Sequence, residues 1–368
     1  MHKNFYLPLA LIFVFSFING VSSSKFSAHD LKDKAYGCVF GAALGDMLGA
    51  PVEFIKSRAQ INTKYPPSGI VGIESLKEKD YKQDTLGERY VPYTDDTAMT
   101  LCVMEGIIKS NTLEIDSCMP QIALACIKDM HAPYGWAYGP RAPGNTCLKN
   151  VKKIEVSYKD QQSFFSRKND LWWKGGLSTD GGCGSVMRAH PFGILFYNAP
   201  EQAALWAAQH SEITHGAPLA KAACAALAVG TAYAMNNESP ETVTQKMTEA
   251  ARVYDSKTAD MMQKAVAYAH DAHKSSDEVF EEFLGWAAHE AIAAATYCFI
   301  KHPDNVREAI LLGVNTPGDS DSIASLAGAL VGARVGASQL PQEWLEILEN
   351  RFAIQNSIET FITKIALT

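Results

Sequence analysis

Two short acidic runs carry most of the chemistry this sequence could do. One is Tyr93-Thr94-Asp95-Asp96-Thr97, just before an apolar segment. The other is Thr316-Pro317-Gly318-Asp319-Ser320-Asp321-Ser322, just before a second such segment. Asp, Ser and Thr are good helix N-caps and suit the positive end of the helix dipole, which would explain either run alone. One cap needs one side chain, however, and each run offers several. Adjacent carboxylates repel, and Gly318 lets the chain turn sharply enough for Asp319 and Asp321 to point the same way. Asp95, Asp96, Asp319 and Asp321, with hydroxyl neighbours and no thiol or imidazole in either run, make an oxygen-only donor set that suits Mg²⁺, Mn²⁺ or Ca²⁺. If the two runs meet in space, a two-metal centre follows.

Other residues could serve a ligand. Gly181, Gly182 and Gly184 form a loop whose backbone N–H groups can approach phosphate, though the same glycines would suit a flexible turn. Arg188 could pair with a phosphate or make a structural ion pair. His215 could stack on a base or position a sugar. The loop Tyr138–Thr146, including Gly144 and Asn145, could line a cleft. The tandem Trp172-Trp173 reads as packing. Glu212-Ile-Thr-His215 has the spacing of half a di-iron motif, but such bundles need it twice and no second copy occurs. Asn237-Glu-Ser239 is a glycosylation sequon, of use only in a eukaryotic secretory host.

The elements that must position these residues read as helices. Ala, Leu and Met recur with a period of 3.6 over Thr97–Ile108, Ile122–Met130, Pro200–His210, Pro218–Met235, Thr242–Arg252, Ala259–His273, Val279–Ile300, Val306–Leu312, Ser322–Gly336 and Glu343–Ile365. Strand-like alternation is scarce, so the fold class is all-α. In the first helix Gly37, Gly41, Gly45 and Gly49 recur every four residues. Gly328, Gly332 and Gly336 make a second stripe. A glycine inside a helix costs up to about 1 kcal/mol against Ala, so stripes need a reason. Close approach of the two helices is that reason, and it would bring their ends together.

The chain has 368 residues, 47% of them hydrophobic, and a formal net charge of −7. That excludes a polar disordered chain and disfavours nucleic acid as the primary partner. Residues 1–24 read as a secretory signal: Lys3, then an apolar run from Phe5 to Ile18, then small residues at Gly20–Ser23. The expected organisation is a signal over 1–24 and one helical domain over 25–368, exported to a secreted or periplasmic location. An uncleaved signal anchor is the alternative, because the uncharged run is near spanning length; after cleavage no stable membrane span is expected, and the mature chain is expected to be a monomer. The eight cysteines show no Cys-x-x-Cys and no zinc spacing, and few or no disulfides are expected.

Gly41-Ala-Ala-Leu-Gly45-Asp46-Met-Leu-Gly49-Ala-Pro51-Val-Glu53-Phe resembles the opening motif of the ADP-ribosylglycohydrolase family, which includes the dinitrogenase reductase-activating glycohydrolases. Thr94-Asp95-Asp96-Thr97 and Gly318-Asp319-Ser320-Asp321-Ser322-Ile323-Ala324 resemble its two metal motifs. Gly182-Cys183-Gly184-Ser185-Val186-Met187-Arg188, with Pro191 and Gly193, resembles its substrate-phosphate loop, and Thr214-His215 with Pro218 a further signature. Each motif is short, but together they run in family order over nearly the whole mature chain. The resemblance implies an all-α, orthogonally packed domain holding two Mg²⁺ (or Mn²⁺). The implied ligands are Thr94, Asp95, Asp96, Asp319, Asp321 and Ser322, the last standing where many members have Thr. Glu53, Asp95, Asp96 and Asp319 are the implied catalytic acids. Gly182, Gly184, Ser185, Met187, Arg188, His215, Gly144 and Asn145 are the implied substrate contacts. Cys183 replaces an Asn common in the phosphate loop. The implied partner is an ADP-ribosylated protein, linked through arginine or serine, or a small ADP-ribose conjugate. A binder that does not cleave ADP-ribose is the contrasting reading; it would have no need for a costly carboxylate cluster.

Overall fold

A computed structural model describes residues 28–162 and 170–367; the expected signal over 1–24 lies outside them. Sixteen α-helices carry the described residues: α1 Ala28–Gly49, α2 Arg58–Lys64, α3 Asp95–Lys109, α4 Ile115–Met130, α5 Asn145–Gln161, α6 His190–Leu195, α7 Pro200–Ser211, α8 Pro218–Met235, α9 Pro240–Tyr254, α10 Ser256–His270, α11 Ser276–Glu282, α12 Ala288–Lys301, α13 Val306–Val314, α14 Ser320–Val335, α15 Gln342–Glu346 and α16 Arg351–Ala366. The one sheet among them is a short antiparallel ribbon, β1 Lys82–Gln83 against β2 Arg89–Tyr90, with Lys82 opposite Tyr90. The fold is all-α, as the periodicity implies.

The two glycine stripes face each other. A Cβ on Gly41 would stand 2.3 Å from the Gly328 carbonyl oxygen, one on Gly45 2.2 Å from that of Ala324, and one on Gly49 2.4 Å from the Cα of Asp321. Only hydrogen fits between these backbones, so α1 and α14 lie antiparallel in a register that the glycines fix. That register places the C-terminal end of α1 beside the N-terminal end of α14. Together with its following turn (His29–Val52), α1 is long and apolar enough to cross a membrane, and so is α8. Both are core helices here. α8 is packed against α6, α7, α9, α12 and α14, which covers it on nearly every face.

Two expected helices are broken. Val279–Ile300 is α11 and α12, separated at Gly285, whose φ is +87°. Glu343–Ile365 is α15 and α16, separated at Asn350, whose φ is +53°. An apolar period runs through both breaks, so the pattern hides them. α5 lies outside the expected set: its sequence is Lys-rich and its buried face is narrow, Cys147, Val151 and Ile154.

Candidate active site

Asp46, in the last turn of α1, is fully buried and organises the first acidic run. Its Oδ1 accepts the Thr94 N–H at 2.8 Å. Its Oδ2 accepts the Thr97 N–H at 2.9 Å and the Thr97 hydroxyl at 2.5 Å. Thr94 caps α3 by accepting the Asp96 N–H, and Arg141 holds the preceding turn by donating to the Tyr93 carbonyl at 2.6 Å. Arg141 is itself fixed by a buried ion pair with Glu349. Asp95 and Asp96 therefore emerge from the first turn of α3 on a backbone tied down from three sides.

The second run is tied as firmly. The Asp319 N–H donates to the Leu284 carbonyl at 2.9 Å, and Ser320 Oγ donates to the Gly49 carbonyl at 3.0 Å. The Phe54 N–H donates to the Gly318 carbonyl and the Gly318 N–H to the Ile55 carbonyl, both at 3.1 Å. This reciprocal pair clips the segment that carries Glu53 onto the loop that carries Asp319 and Asp321. At φ +118°, with Leu284 O 2.4 Å from where a Cβ would be, position 318 admits only glycine.

The two runs meet. Ser322 Oγ lies 3.4 Å from Asp96 Oδ2, and carboxylate oxygens of Glu53, Asp319 and Asp321 all lie within 4.8 Å of one another. Asp96 Oδ1 and Asp321 Oδ1 are buried without a hydrogen-bond partner. No ion pair among the described residues includes Glu53, Asp95, Asp96, Asp319 or Asp321, or their neighbour Asp46. Burial raises the whole set, and repulsion, chiefly from Asp321, raises the others further. Glu53 is pushed up to about 11 by burial and then by Asp321, Asp319, Asp95 and Asp46. Asp95, Asp96 and Asp319 are raised well above the usual carboxylate range, by burial first and then by Asp321. Asp46 rises to about 6 for the same two reasons. Buried acids with orphan oxygens and no counter-charge are unfavourable unless a cation joins them, and a hard divalent cation fits this all-oxygen set.

The acids form the floor of a cleft of about 270 Å³. Gly144, Asn145, Gly182, Gly184, Met187 and His215 border it together with Glu53, Asp95, Asp96, Asp319, Asp321 and Ser322. Thr94, Ser185 and Arg188 do not. Thr94 sits behind Asp96, and Ser185 shares a hydrogen bond with Ser211 at 2.9 Å behind the loop. Arg188 is fully buried beneath the loop and donates to the Gly184 carbonyl, to His210 Nε2 at 3.0 Å and to Thr214 Oγ1 at 2.6 Å. The direct phosphate contact open to Arg188 in the sequence does not match this placement. Its charge has no carboxylate partner among the described ion pairs, so its field reaches the Gly-rich loop from behind.

His215 carries that network into the cleft. Its Nδ1 lies 2.8 Å from Thr214 Oγ1. Arg188 can only donate to that hydroxyl, so we assign the hydroxyl hydrogen to His215 Nδ1. Burial and Arg188 push the ring's pKa down to about 3, so it is neutral and Nε2 keeps its hydrogen. Nε2 stands beside Gly182, where it can donate to a ligand.

Three cleft residues lie outside the sequence reading: Cys147, Phe54 and Trp286. Phe54 and Trp286 stack at the rim, ring centroids 5.3 Å apart and planes 16° from parallel, both substantially exposed. The available signals were Phe54 directly after Glu53, and Gly285-Trp286 inside an apparent helix. Trp286 also holds the loop, its carbonyl accepting the Cys183 N–H at 3.2 Å. Trp172 and Trp173 are buried away from the cleft. A larger groove of about 640 Å³, lined by residues of α9 and α10 that include Glu249 and Arg252, gathers no convergent acids.

A sequence model described as ADP-ribosylglycohydrolase matches residues 27–367. The ADP-ribosyl-[dinitrogen reductase] glycohydrolase of Rhodospirillum rubrum is 24% identical over 322 residues, 86% of this chain and 90% of that protein. The ADP-ribosylhydrolase ARH3 of Mus musculus is 26% identical over 345 residues, 85% of this chain and 86% of that one. A solved structure titled ADP-ribosylglycohydrolase-related protein complex superposes with a TM-score of 0.62, covering 91% of this chain and 99% of its own at 21% identity; it supports the fold alone.

Proposed function

The chain belongs to the ADP-ribosylglycohydrolase family and is a glycosidic-bond hydrolase acting on ADP-ribose linkages, and from that premise we propose that it is metal-dependent and frees ADP-ribose from arginine or serine side chains of modified proteins. The observation that carries the proposal is the convergence of two acidic runs, with orphan oxygens on Asp96 and Asp321, on the floor of a cleft walled by a Gly-rich loop. Asp95, Asp96, Asp319 and Asp321, with Thr94 and Ser322, would hold two Mg²⁺ or Mn²⁺, with Glu53 beside them. Bound there, the cations would supply Lewis-acid polarisation of the ribose hydroxyls and of a water.

The protein's own groups do the rest. In the 3₁₀ turn Cys183–Arg188 the Cys183 N–H is taken by the Trp286 carbonyl and the Ser185 N–H reaches back three residues to Gly182, so the Gly184 N–H is the donor left to receive the diphosphate. His215 Nε2–H would donate to the same ligand, and the unpaired charge of Arg188 would favour its anion. Fixing the diphosphate there sets the distal ribose over the acids, so remote binding energy orients the reacting carbon. As the bond from ribose C1 to the acceptor breaks through an oxocarbenium-like state, Glu53, kept ionised by the positive charge that bound cations would supply beside it, would take a proton from the attacking water.

The test is release of ADP-ribose from arginine- and serine-linked peptides, with Mg²⁺ or Mn²⁺ and with chelator. Activity is expected only with metal, and wild-type turnover by the Asp95→Asn/Asp321→Asn variant would remove the metal assignment. Export guided by residues 1–24 is part of the same proposal. Amino-terminal sequencing of secreted or periplasmic material is expected to begin near Lys25, and an intact Met1 there would count against cleavage.

A further inference from the structure

The phosphate loop brings one residue to the acids that does not belong to an oxygen-only site. Cys183 Sγ donates to Asp319 Oδ2 at 2.7 Å and stands 3.7 Å from Ser322 Oγ. Of the eight cysteines it alone is not fully buried. Cys147, the other cysteine on the cleft, directs its sulfur to the Gly184 carbonyl and accepts from Arg188. The Cys183 backbone is fixed by Trp286, so its sulfur is held against the acidic floor. The buried, unpartnered oxygens of Asp96 and Asp321 independently point to a cation on this floor.

We propose that Cys183 and Asp319, supported by Ser322, bind a thiophilic divalent cation of the Cd²⁺ or Zn²⁺ class, and that this occupancy withdraws Asp319 from the hard cation the hydrolase uses. The proposal rests on the cleft being the metal centre of that hydrolase. Thiolate selects soft and borderline cations, whereas carboxylate and hydroxyl oxygens suit Mg²⁺ and Mn²⁺. The geometry is close to what such a cation needs. Bonds of about 2.3 Å to sulfur and about 2.1 Å to oxygen at a tetrahedral centre put the two ligand atoms about 3.6 Å apart. Ser322 Oγ already stands near that distance from the sulfur, and the Cys183–Asp319 contact opens by less than about 1 Å to reach it. As the metal–sulfur bond forms, the thiol hydrogen now shared with Asp319 leaves to solvent.

The experiment titrates Cd²⁺ into the intact, metal-free chain and follows the ultraviolet sulfur-to-cadmium charge-transfer band. One equivalent of Cd²⁺ is expected to give the band in the wild type and in Cys147→Ser. Cys183→Ser, Cys183→Asn and Asp319→Asn are expected to lose it, with Cd²⁺ affinity down about 10- to 100-fold. In the unsubstituted chain, bound Cd²⁺ is expected to shield Cys183 from iodoacetamide, read by peptide mass spectrometry, which needs no variant to fold. No band in the wild type, a band that survives both Cys183 substitutions, or Cys183 alkylated equally with and without Cd²⁺ would overturn the assignment. ADP-ribose release with Mg²⁺ in chelator-cleaned protein is measured separately. Its failure removes the hydrolase reading and leaves the cadmium result to stand or fall on its own.

Discussion

Asp46 positions the whole first acidic run without itself bordering the cleft. Removing its carboxylate in Asp46→Ala strands the Thr94 and Thr97 N–H groups in a buried place, at a cost of about 1–3 kcal/mol for an unsatisfied group. Urea unfolding should read that loss and Mn²⁺ titration a weaker site; unchanged Mn²⁺ affinity would deny Asp46 its positioning role. The buried histidines give a second prediction at this scale. Burial pushes His190 and His215 down to about 3, and His210 is lowered as well. Their folded values lie below the unfolded one, so their contribution is complete above about pH 6.5 and is lost as pH falls toward 3. Both ring nitrogens of His190 lack partners, so His190→Phe removes one such group with little hydrogen bonding to lose. Compared by urea unfolding at pH 7, 6 and 5, the wild type should lose about 1.4 kcal/mol per pH unit relative to this variant below pH 6.5. Parallel pH profiles would contradict the burial of a neutral His190.

At the scale of elements, the α1–α14 register is the part of the fold that fixes the site. Gly41→Ala drives a methyl into the Gly328 carbonyl and should destabilise by about 1–3 kcal/mol, as overpacking does. Gly49→Ala pushes on the backbone of Asp321 instead, so it should also weaken Mn²⁺ binding although residue 49 holds no ligand atom. Gly139→Ala meets nothing within 4 Å and is the control, expected to be neutral in both assays. The stripes were legible because a glycine every fourth residue is costly inside a helix and has few explanations. The breaks at Gly285 and Asn350 were not legible, because an apolar period continues across each and one left-handed residue interrupts it. Trp286 therefore has the sequence context of a helix although it belongs to a site loop. The placement of Arg188 was hidden for another reason. Sequence shows that a cation follows a Gly-rich loop but not on which side of the loop it lies.

For the whole molecule, the acids are a liability until they are filled. Any cation that binds the folded chain and not the unfolded one adds stability by mass action, about 2.7 kcal/mol at one hundred times its dissociation constant. Thermal unfolding should therefore rise with Mn²⁺ and fall with chelator, and Asp95→Asn/Asp321→Asn should abolish most of the response. An equal shift in that variant would place the binding elsewhere. The acidic set was legible as oxygen donors from residue type alone. What no local pattern could supply was the meeting of residues so far apart along the chain, which only the packing of glycine on glycine brings about.

That packing joins the first helix to one of the last. A ribosome adding about 5–20 residues per second needs on the order of 15 s to a minute to travel from one glycine stripe to the other. Throughout that interval α1 has emerged without the surface that covers it, and Glu53, Asp95 and Asp96 have no Asp319 or Asp321 to complete them. A polypeptide stalled or cut before α14 is therefore both adhesive and inert. Catalytic competence arrives only once α14 has been made, so quality control and activation coincide in a single docking event.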